Sequence, residues 1–554
     1  MLLTMTKGIQ NSDAQTNKRI ALWIFAMLFF SYGYFHQGGG WGQNSRFNQV
    51  RAIVEKQQMA INDFWLYQVR ETGSGPSKIA RLPMPQTTGS IRLRDVANTW
   101  DISLFNDNIL PNKPPGTVII AVPAYWLIHR VESVFGLDPD DWWILTLNAY
   151  LTTVFSVGLI AALGGLAFYH LSNRLSPDCP NWAHVASTFT YGLGTMTLPF
   201  ATLLFDHVLV ASISMVAFFL LFIARLETQK SICREHCYFF AGVLCGITVT
   251  VNYVAIMTVG CLFVYGIWTT KIRIKFLLYF FAGLAVPVAL LLWYHFVYFG
   301  SPFATANSHQ VGVFRSSDAL VLGMLGQPNL AAIYALLLSS YRGLFFTSPV
   351  LSLGLIAVFV MGYNRERRSE ALLFGSVFFA YLLMNSAFNN WHAGWTFGPR
   401  YLIPAIPFIA LPLARVFARI PRLAVGLAFL SIFLMFLFTA VDPQVTESTA
   451  NPLSDHILRI VRGDNVLIEG VSVDAPLSAN PLGVFESSSR PAAGISAAQR
   501  RWHSFNLGEF IWQGSFWSLT PLITFLGMGL FSVSRQLKKV QIIRPAVVTE
   551  NSSS

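Results

Sequence analysis

Ionisable residues next to long apolar stretches are the first candidates for chemistry in this sequence, because lipid excludes charge unless the charge has a use. Asp206 and His207 lie between two apolar runs. A carboxylate there can bind an acceptor hydroxyl or remove its proton, and the histidine beside it can orient it. An aspartate before an apolar helix is also a common N-cap, and a histidine at an interface a common hydrogen-bonder. Asp206 is therefore a candidate base, with His207 as its neighbour.

Three basic residues occupy comparable positions and have the chemistry of phosphate binding. Lys113 lies in the turn NKPPG, where it can bind phosphate as a point charge or anchor the following helix at the interface. Arg342 precedes an apolar run, so a helix N-terminus lies beside it. Arg400 closes the aromatic segment WHAGWTFGPR, which contains His392 and two glycines that allow close backbone approach. These residues predict a site for an anionic group.

Composition shows which kind of structure must hold these residues. Of 554 residues, 53% are hydrophobic and 12% are charged, against roughly 25% charged in soluble proteins. Mean hydropathy is +0.50. This excludes an ordinary soluble enzyme and predicts an all-α polytopic membrane protein. The net charge of +11 then reflects Lys and Arg in the loops that determine membrane topology. We do not expect nucleic acid as a partner.

Apolar runs of about 20 residues predict about twelve transmembrane helices. They cover residues 19–35, 142–171, 182–200, 208–226, 238–253, 254–269, 276–299, 343–363, 371–388, 401–417, 423–441 and 516–533.

The segment 116–135 is long enough to cross but contains a proline, a histidine, an arginine and a glutamate. If it does not cross, Lys and Arg collect in alternate loops that are then cytoplasmic. We therefore predict a helix in the outer interface.

This topology predicts a long first external loop that carries interfacial helices. The resulting organisation is a cytoplasmic N-terminus (1–18), the first helix (19–35), the long external loop (36–141), a bundle (142–299), an external loop (300–342), a second bundle (343–441), an external segment (442–515), a last helix (516–533) and a cytoplasmic tail (534–554). All the candidate residues above then lie at the external face. No nucleotide or metal motif is evident, so we predict no cofactor, although a divalent metal stays possible.

The order of several motifs resembles the GT-C superfamily of integral membrane glycosyltransferases, in the bacterial group related to protein O-mannosyltransferases and the lipid A aminoarabinose transferase. The resemblance runs from about residue 18 to 534. Its carriers are GGGW through Arg46, KPPG from Lys113, the segment 191–207, FGSP at 299–302, RGL from Arg342, and GW at 394–395 through residue 404.

The resemblance implies transfer of a sugar from polyprenyl phosphate to a lipid, glycan or protein hydroxyl, with inversion, outside a bacterial inner membrane. It implies that Lys113 and, as further clamps, Arg342 and Arg400 bind the departing phosphate, and that Asp206 is the second-loop acid. Many relatives have an acid soon after the first span, where this chain has Gln43, Asn44 and Asn48. Asp63 and Asp206 are therefore the leading candidates for the base, with Asp101 and Asp107 as alternatives.

Two other functions use similar residues. A transporter or flippase of lipid-linked sugars would have charged residues at mid-membrane and internal repeats, and neither is evident. A ligase or polymerase of the O-antigen type would also use external arginines. The long first loop favours the glycosyltransferase.

Overall fold

In a computed structural model, the chain is a mostly helical, multi-pass membrane protein with short β-hairpins between its helices. The structure describes residues 2–65, 67–70, 78–81, 99, 101–226, 231–310, 325–462, 465–472, 484–491, 504–512 and 516–543. Parts of the predicted external segments 36–141, 300–342 and 442–515, and the end of the tail 534–554, lie outside these ranges.

The N-terminal part contains a long helix, a buried helix, two hairpins and the helix after the NKPPG turn. In order these are α1 (Leu2–Gly33), β1 (Phe35–His36), α2 (Trp41–Lys56), β2 (Tyr67–Arg70), β3 (Lys78–Arg81), β4 (Ile102–Phe105), β5 (Asn108–Pro111) and α3 (Gly116–Phe135). Pro115 immediately precedes α3, a position where its missing N–H costs nothing. Gly136, in the left-handed region at φ 66°, ends the helix.

The central part is a series of apolar helices. These are α4 (Trp142–Thr153), α5 (Leu159–Leu175), α6 (Asn181–Leu193), α7 (Thr197–Ala201), α8 (His207–Leu226), α9 (Ser231–Val251), α10 (Ile256–Thr269) and α11 (Arg273–Phe299). A π-helical turn at Val154–Gly158 joins α4 to α5.

The C-terminal part contains α12 (Leu330–Leu337), α13 (Leu344–Thr347), α14 (Val350–Gly362), α15 (Arg368–Ala387), α16 (Ile406–Ala410), α17 (Leu413–Arg419), α18 (Pro421–Val441), α19 (Leu458–Arg462), β6 (Asn465–Ser472), β7 (Val484–Pro491), β8 (Phe505–Asn506) and α20 (Thr520–Ile543). β8 pairs antiparallel with β1, so the segment before α20 is joined to the segment that follows α1. The other sheets are the antiparallel hairpins β2–β3, β4–β5 and β6–β7.

The predicted count of about twelve membrane spans is not confirmed. Among the described residues, seven helices are long and apolar enough to cross a membrane, and eight if one bent pair forms a single span. The seven are Gly116–Phe135, Trp143–Leu175, His207–Leu226, Arg273–Phe299, Arg368–Ala387, Pro421–Val441 and Phe516–Lys538. The first is the helix predicted to lie in the interface. Only 22% of its apolar window is buried within the protein, and the interfacial placement stays a prediction.

Three predicted spans are divided because hydropathy records apolar residues and not helix continuity. The predicted span 182–200 is split into α6 and α7, and 343–363 into α13 and α14 with Pro349 between them. The span 401–417 becomes the bent pair Arg400–Ala410 and Leu413–Arg419, which turns by 54° at Pro412. Proline lacks the N–H that a continuing helix needs and crowds the preceding turn.

These breaks converge in space. A Cβ added to Gly398 would lie 2.9 Å from Met196 Sδ, in the break between α6 and α7, and 3.6 Å from Thr347 Oγ1 at the end of α13. Backbone without regular helical hydrogen bonds is tolerated in a membrane protein where other parts of the protein surround it or where it lines a cavity. The converging breaks therefore mark the region where a site can be built.

Small residues allow α9 and α11 to pack closely. A Cβ at Gly242 would lie 2.0 Å from the Phe280 carbonyl oxygen, and one at Gly283 would lie 2.0 Å from the Phe239 carbonyl oxygen. Backbone atoms cannot move aside as a flexible side chain can. The two helices thus meet backbone to backbone, as helix pairs in membranes commonly do.

We expect Gly242→Val to separate α9 from α11 and to lower the free energy of unfolding by about 1–3 kcal/mol or more, the usual cost of overpacking. The measurement is thermal unfolding of the purified protein in detergent. Gly260→Val is the matched control, because a Cβ at Gly260 meets no atom within 4 Å. Equal melting temperatures for the two variants would contradict the packing described here.

Candidate active site

A buried ion pair joins α2 to the helical bundle. Arg46 of α2 donates through Nη2 to Asp206 Oδ1 at 2.9 Å, and the two side chains are 1% and 3% exposed. Arg46 Nη1 donates to the Gly42 carbonyl oxygen at 2.6 Å. Because Asp206 immediately precedes α8, this pair fixes α2 against the N-terminal end of that helix.

The carboxylate of Asp206 is bound at both oxygens. Asn252 donates its side-chain amide to Asp206 Oδ2, while Arg46 occupies Oδ1. Burial alone would raise the pKa of Asp206, but the adjacent His207 and Arg46 outweigh it and lower the pKa to about 2. Asp206 is therefore ionised at neutral pH and fully committed to neighbouring groups.

A second carboxylate, Asp101, lies just before the hairpin β4–β5. Its Oδ1 accepts from Asn112 Nδ2 at 2.8 Å and lies 3.5 Å from Lys113 Nζ. The antiparallel hairpin brings these residues together, because Asn112 N–H also donates to the Asp101 carbonyl oxygen. The side chain of Lys113 is 31% exposed, so its ammonium reaches solvent beside the acid.

Gly42 lies where the two acidic regions approach each other. A Cβ at this position would be 3.2 Å from Asp101 Oδ2 and 2.9 Å from Cε1 of Phe205, the residue before Asp206. A side chain at Gly42 would therefore enter the space between them. The first turn of α2 thus brings Asp101 and Lys113 close to the Arg46–Asp206 pair.

Two guanidinium groups face the ring of Phe205. The Cζ atoms of Arg46 and Arg400 lie 5.3 Å and 5.1 Å from its centre. Arg400 Nε is buried without a hydrogen-bond partner in the described part of the chain. His207 packs edge-on against Tyr401, and its Nε2 lies 3.9 Å from Asp206 Oδ1. Arg400 thus adds a second positive charge to the neighbourhood of Asp206, and part of its donor capacity is unused.

Arg342, unlike Arg400, has all three of its guanidinium nitrogens bound. It is fully buried, and its three nitrogens each donate to a carbonyl oxygen: Nε to His392 at 3.1 Å, Nη1 to Tyr341 at 3.0 Å, and Nη2 to Gly394 at 3.1 Å. Burial lowers the pKa of Arg342 to about 10, and nearby Arg400 contributes in the same direction. Arg342 therefore holds the segment 391–400 in place.

His392 belongs to the same turn. Its Nδ1 accepts the N–H of Gly394 at 3.1 Å. Ala393, which lies between them, has a φ of 63°, and Gly394 has a φ of 62°. Burial, with Arg342 and Arg400 nearby, lowers the pKa of His392 to about 4. His392 is thus neutral at pH 7, which leaves Nδ1 able to accept this bond.

Asp63 and Asp107 lie elsewhere. Asp63 follows α2 and pairs with Lys56, with both side chains more than two-fifths exposed. Asp107 occupies the turn of the hairpin β4–β5 at φ 61°. The structure therefore brings together Lys113, Asp206, His207 and Arg400, extends that group through Arg342 and His392, and places Asp63 in a surface pair.

Three residues of this group were not singled out from sequence for a role: Arg46, Asn112 and Asn252. The available signal was an arginine within a stretch of uncharged polar residues that folds as a buried helix. Asp101 was only an alternative there, and it lies closer to Lys113 than any other acid among the described residues. The group can bind an anion at Lys113 and Arg400 and accept a proton at a carboxylate. Within the described ranges, no three His, Cys, Asp or Glu side chains converge on a point where a metal ion could bind.

The chain has a polytopic helical fold that is similar to solved structures of two membrane enzymes. One is ArnT from Cupriavidus metallidurans bound to undecaprenyl phosphate, with 14% identity and a TM-score of 0.42 over 76% of this chain and 62% of that one. The other is the oligosaccharyltransferase AglB from Archaeoglobus fulgidus in complex with an inhibitory peptide and a dolichol-phosphate, with 12% identity and a TM-score of 0.45 over 77% and 56%.

The chain matches less than two thirds of the length of either of these two enzymes. No protein-family profile matches it, and no curated protein matches its sequence.

We expect Asp206→Asn to lower the free energy of unfolding by about 3–5 kcal/mol at neutral pH, because Arg46 would remain buried without its counter-charge. A lowered pKa stabilises the fold above the ordinary carboxyl pKa, and that stabilisation is lost as pH falls towards 2. The difference between wild type and variant should therefore shrink between about pH 4 and pH 2.

Thermal unfolding in detergent across this pH range measures the effect. The double variant Arg46→Leu with Asp206→Leu is the control, and it should be more stable than Asp206→Asn because no buried charge is left unpaired. A difference between wild type and Asp206→Asn that stays constant down to pH 2 would contradict the ionised, paired state of Asp206.

Proposed function

We propose that the protein transfers a sugar from a polyprenyl-phosphate carrier to an acceptor hydroxyl at the external face of the membrane. The observation that carries the proposal is the grouping of Lys113 and Arg400 with two carboxylates, Asp101 and Asp206, where helices break at one end of the bundle. An anionic leaving group needs the cations, and a hydroxyl nucleophile needs a carboxylate.

The two acids take different roles in this proposal. Asp206, with a pKa of about 2 and both oxygens bound, suits an organising role: it neutralises Arg46 and keeps α2 in register. Asp101 suits the base, because Asn112 and Lys113 hold Oδ1 while no described side chain binds Oδ2.

The reaction then proceeds as a single displacement. The acceptor hydroxyl oxygen attacks the anomeric carbon, the bond from that carbon to the phosphate oxygen breaks, and the configuration inverts. The hydroxyl proton passes to Asp101 Oδ2. The departing phosphate gains negative charge, which Lys113 and Arg400 stabilise.

The class of donor comes from the GT-C resemblance of the sequence. Undecaprenyl phosphate and dolichol-phosphate, the lipids in the ArnT and AglB structures, belong to the same chemical class. The proposal includes an inner-membrane location with both termini cytoplasmic and the site external. It leaves open whether the acceptor is a lipid, a glycan or a protein, and it requires no cofactor.

We expect Asp101→Asn to reduce sugar transfer at least 100-fold with little change in stability, because the variant keeps the shape and loses the proton acceptor. Lys113→Ala should also reduce transfer strongly, through loss of charge on the leaving phosphate. The assay follows radiolabelled sugar from synthetic polyprenyl-phosphate donors in reconstituted liposomes, with extracted cell-envelope material as acceptor.

Asp63→Asn is the matched control, since Asp63 lies in an exposed surface pair, and it should keep near-normal activity. Full activity in Asp101→Asn and Lys113→Ala would refute the site. Loss of activity in Asp63→Asn alone would move the base to Asp63. Movement of the lipid between leaflets without any transfer would favour a flippase.

A second comparison separates the two arginines of the segment 391–400. We expect Arg342→Lys to impair both stability and activity, because one ammonium cannot reach three carbonyl oxygens in different directions. Arg400→Lys should keep the stability and part of the activity, because a lysine still supplies charge. Melting temperature and transfer rate of both variants test this. A stable but inactive Arg342→Lys variant would indicate that Arg342 binds the phosphate directly.

A further inference from the structure

A cavity at the start of α2 is not used by the mechanism above. It is partly open to solvent and has room for about one water-sized group, with about 20 Å³ of space. The glycine run before the helix, the first turn of the helix, and the ends of α4 and α7 surround it. The lining includes Gly38, Gly39, Gln43, Thr153, Thr202 and Leu204.

Gln43 faces this cavity with its hydrogen-bonding capacity unused. The residue is 5% exposed, and neither Oε1 nor Nε2 has a hydrogen-bond partner among the described residues. Buried amides are nearly always paired in native structures, since leaving them unpaired is unfavourable. An amide with both ends unused is therefore available to a bound polar group.

Gly40 and a second buried amide, Gln444, lie next to the Gln43 side chain. A Cβ at Gly40 would lie 2.2 Å from Gln43 Oε1 and 2.6 Å from Gln444 Oε1, so a side chain there would displace both amide ends. Gln444 is 8% exposed, and its Nε2 is likewise unpartnered in the described chain. Two buried amides thus meet at the N-terminal end of a 16-residue helix.

The lining favours an uncharged ligand. Of the described residues that line the cavity, none is Asp, Glu, Lys or Arg. The Thr153 and Thr202 hydroxyls already donate to backbone carbonyls, which leaves their oxygens able to accept. A buried ammonium or carboxylate would lose its hydration here without an opposite charge, whereas a hydroxyl can both donate to and accept from an amide.

The cavity shares its helix turn with the proposed reaction site. Gln43 follows Gly42, the residue that lies between Asp101 and Phe205. Thr202 and Leu204 of the lining belong to the segment that leads into Asp206. The Gln43 amide therefore lies on the same helical turn as the residue that approaches Asp101.

We propose that Gln43 binds a neutral hydroxyl group of a sugar and that the cavity selects sugars that place a hydroxyl there over amino sugars and uronic acids that place an ammonium or carboxylate there. The inference rests on the proposed function, because it assumes that a sugar reaches this turn of α2. The hydroxyl belongs either to the donor sugar or to a glycan acceptor, and both present the same chemistry to the amide.

The first experiment measures binding without requiring transfer. Titration calorimetry measures the Kd of the detergent-solubilised full chain for undecaprenyl phosphate alone and for the same lipid carrying glucose, 4-amino-arabinose or glucuronic acid. If the donor supplies the hydroxyl, we expect wild type to bind the glucosyl lipid about tenfold or more tightly than the bare lipid. The amino and acidic sugars should show no such gain.

Variants of Gln43 assign the selectivity to its side chain. Gln43→Leu should remove the gain for glucose, and Gln43→Glu, which keeps the shape, should shift preference towards the amino sugar. Gln57→Glu, an exposed glutamine at the other end of α2, is the matched charge control and should behave as wild type. Melting temperatures verify that the variants are folded.

The second experiment distinguishes the two sources of the hydroxyl. If the acceptor supplies it, Gln43→Leu should raise the KM for a neutral glycan acceptor about tenfold while the donor Kd stays unchanged. Equal wild-type binding of all three sugar lipids, together with an unchanged donor Kd and acceptor KM in Gln43→Leu, would overturn the inference. A neutral-sugar preference without transfer of any sugar would instead refute the proposed function and leave the binding site standing.

Discussion

The buried ion pair between Arg46 and Asp206 is the interaction on which the site depends. Two charges removed from water are tolerated only with close geometry and with their remaining hydrogen-bonding capacity largely satisfied. Asn252 donates to Asp206, and the Gly42 carbonyl oxygen accepts from Arg46, so much of this hydrogen-bonding capacity is satisfied. Since the partners come from α2 and from the residue before α8, the pair holds α2 in one position against the bundle. Moving either element would expose or isolate a charge.

Several helices are broken close to one another. At these breaks, backbone atoms and glycine occupy positions where a continuous helix would carry side chains. The breaks near Met196, Thr347 and Gly398 meet at one point. A continuous apolar helix at any of these positions would satisfy its own backbone and leave little room for polar groups. The same irregularity that divides the predicted spans therefore creates the space that the cations and acids occupy.

The arginines of the site show that residue type alone does not define a role. Arg342 donates to three carbonyl oxygens of the chain, while Arg400 lies over Phe205 with its Nε unpartnered in the described structure. The first stabilises a turn that includes Ala393 in the left-handed region, a strained position for a residue with a Cβ. The second is then held where an anion can reach it. One guanidinium thus supports the position of the other.

The sequence by itself determined the membrane class and the clustering of Lys113, Asp206 and Arg400, because lipid excludes charge and leaves few places for it. It did not determine the number of spans, since hydropathy cannot detect the breaks at Gly194 or Pro349. Only the tertiary structure paired Asp206 with Arg46, 160 residues away, and brought Asp101 rather than Asp63 beside Lys113. Such pairings depend on which groups share a desolvated space, and that space exists only once the helices have packed.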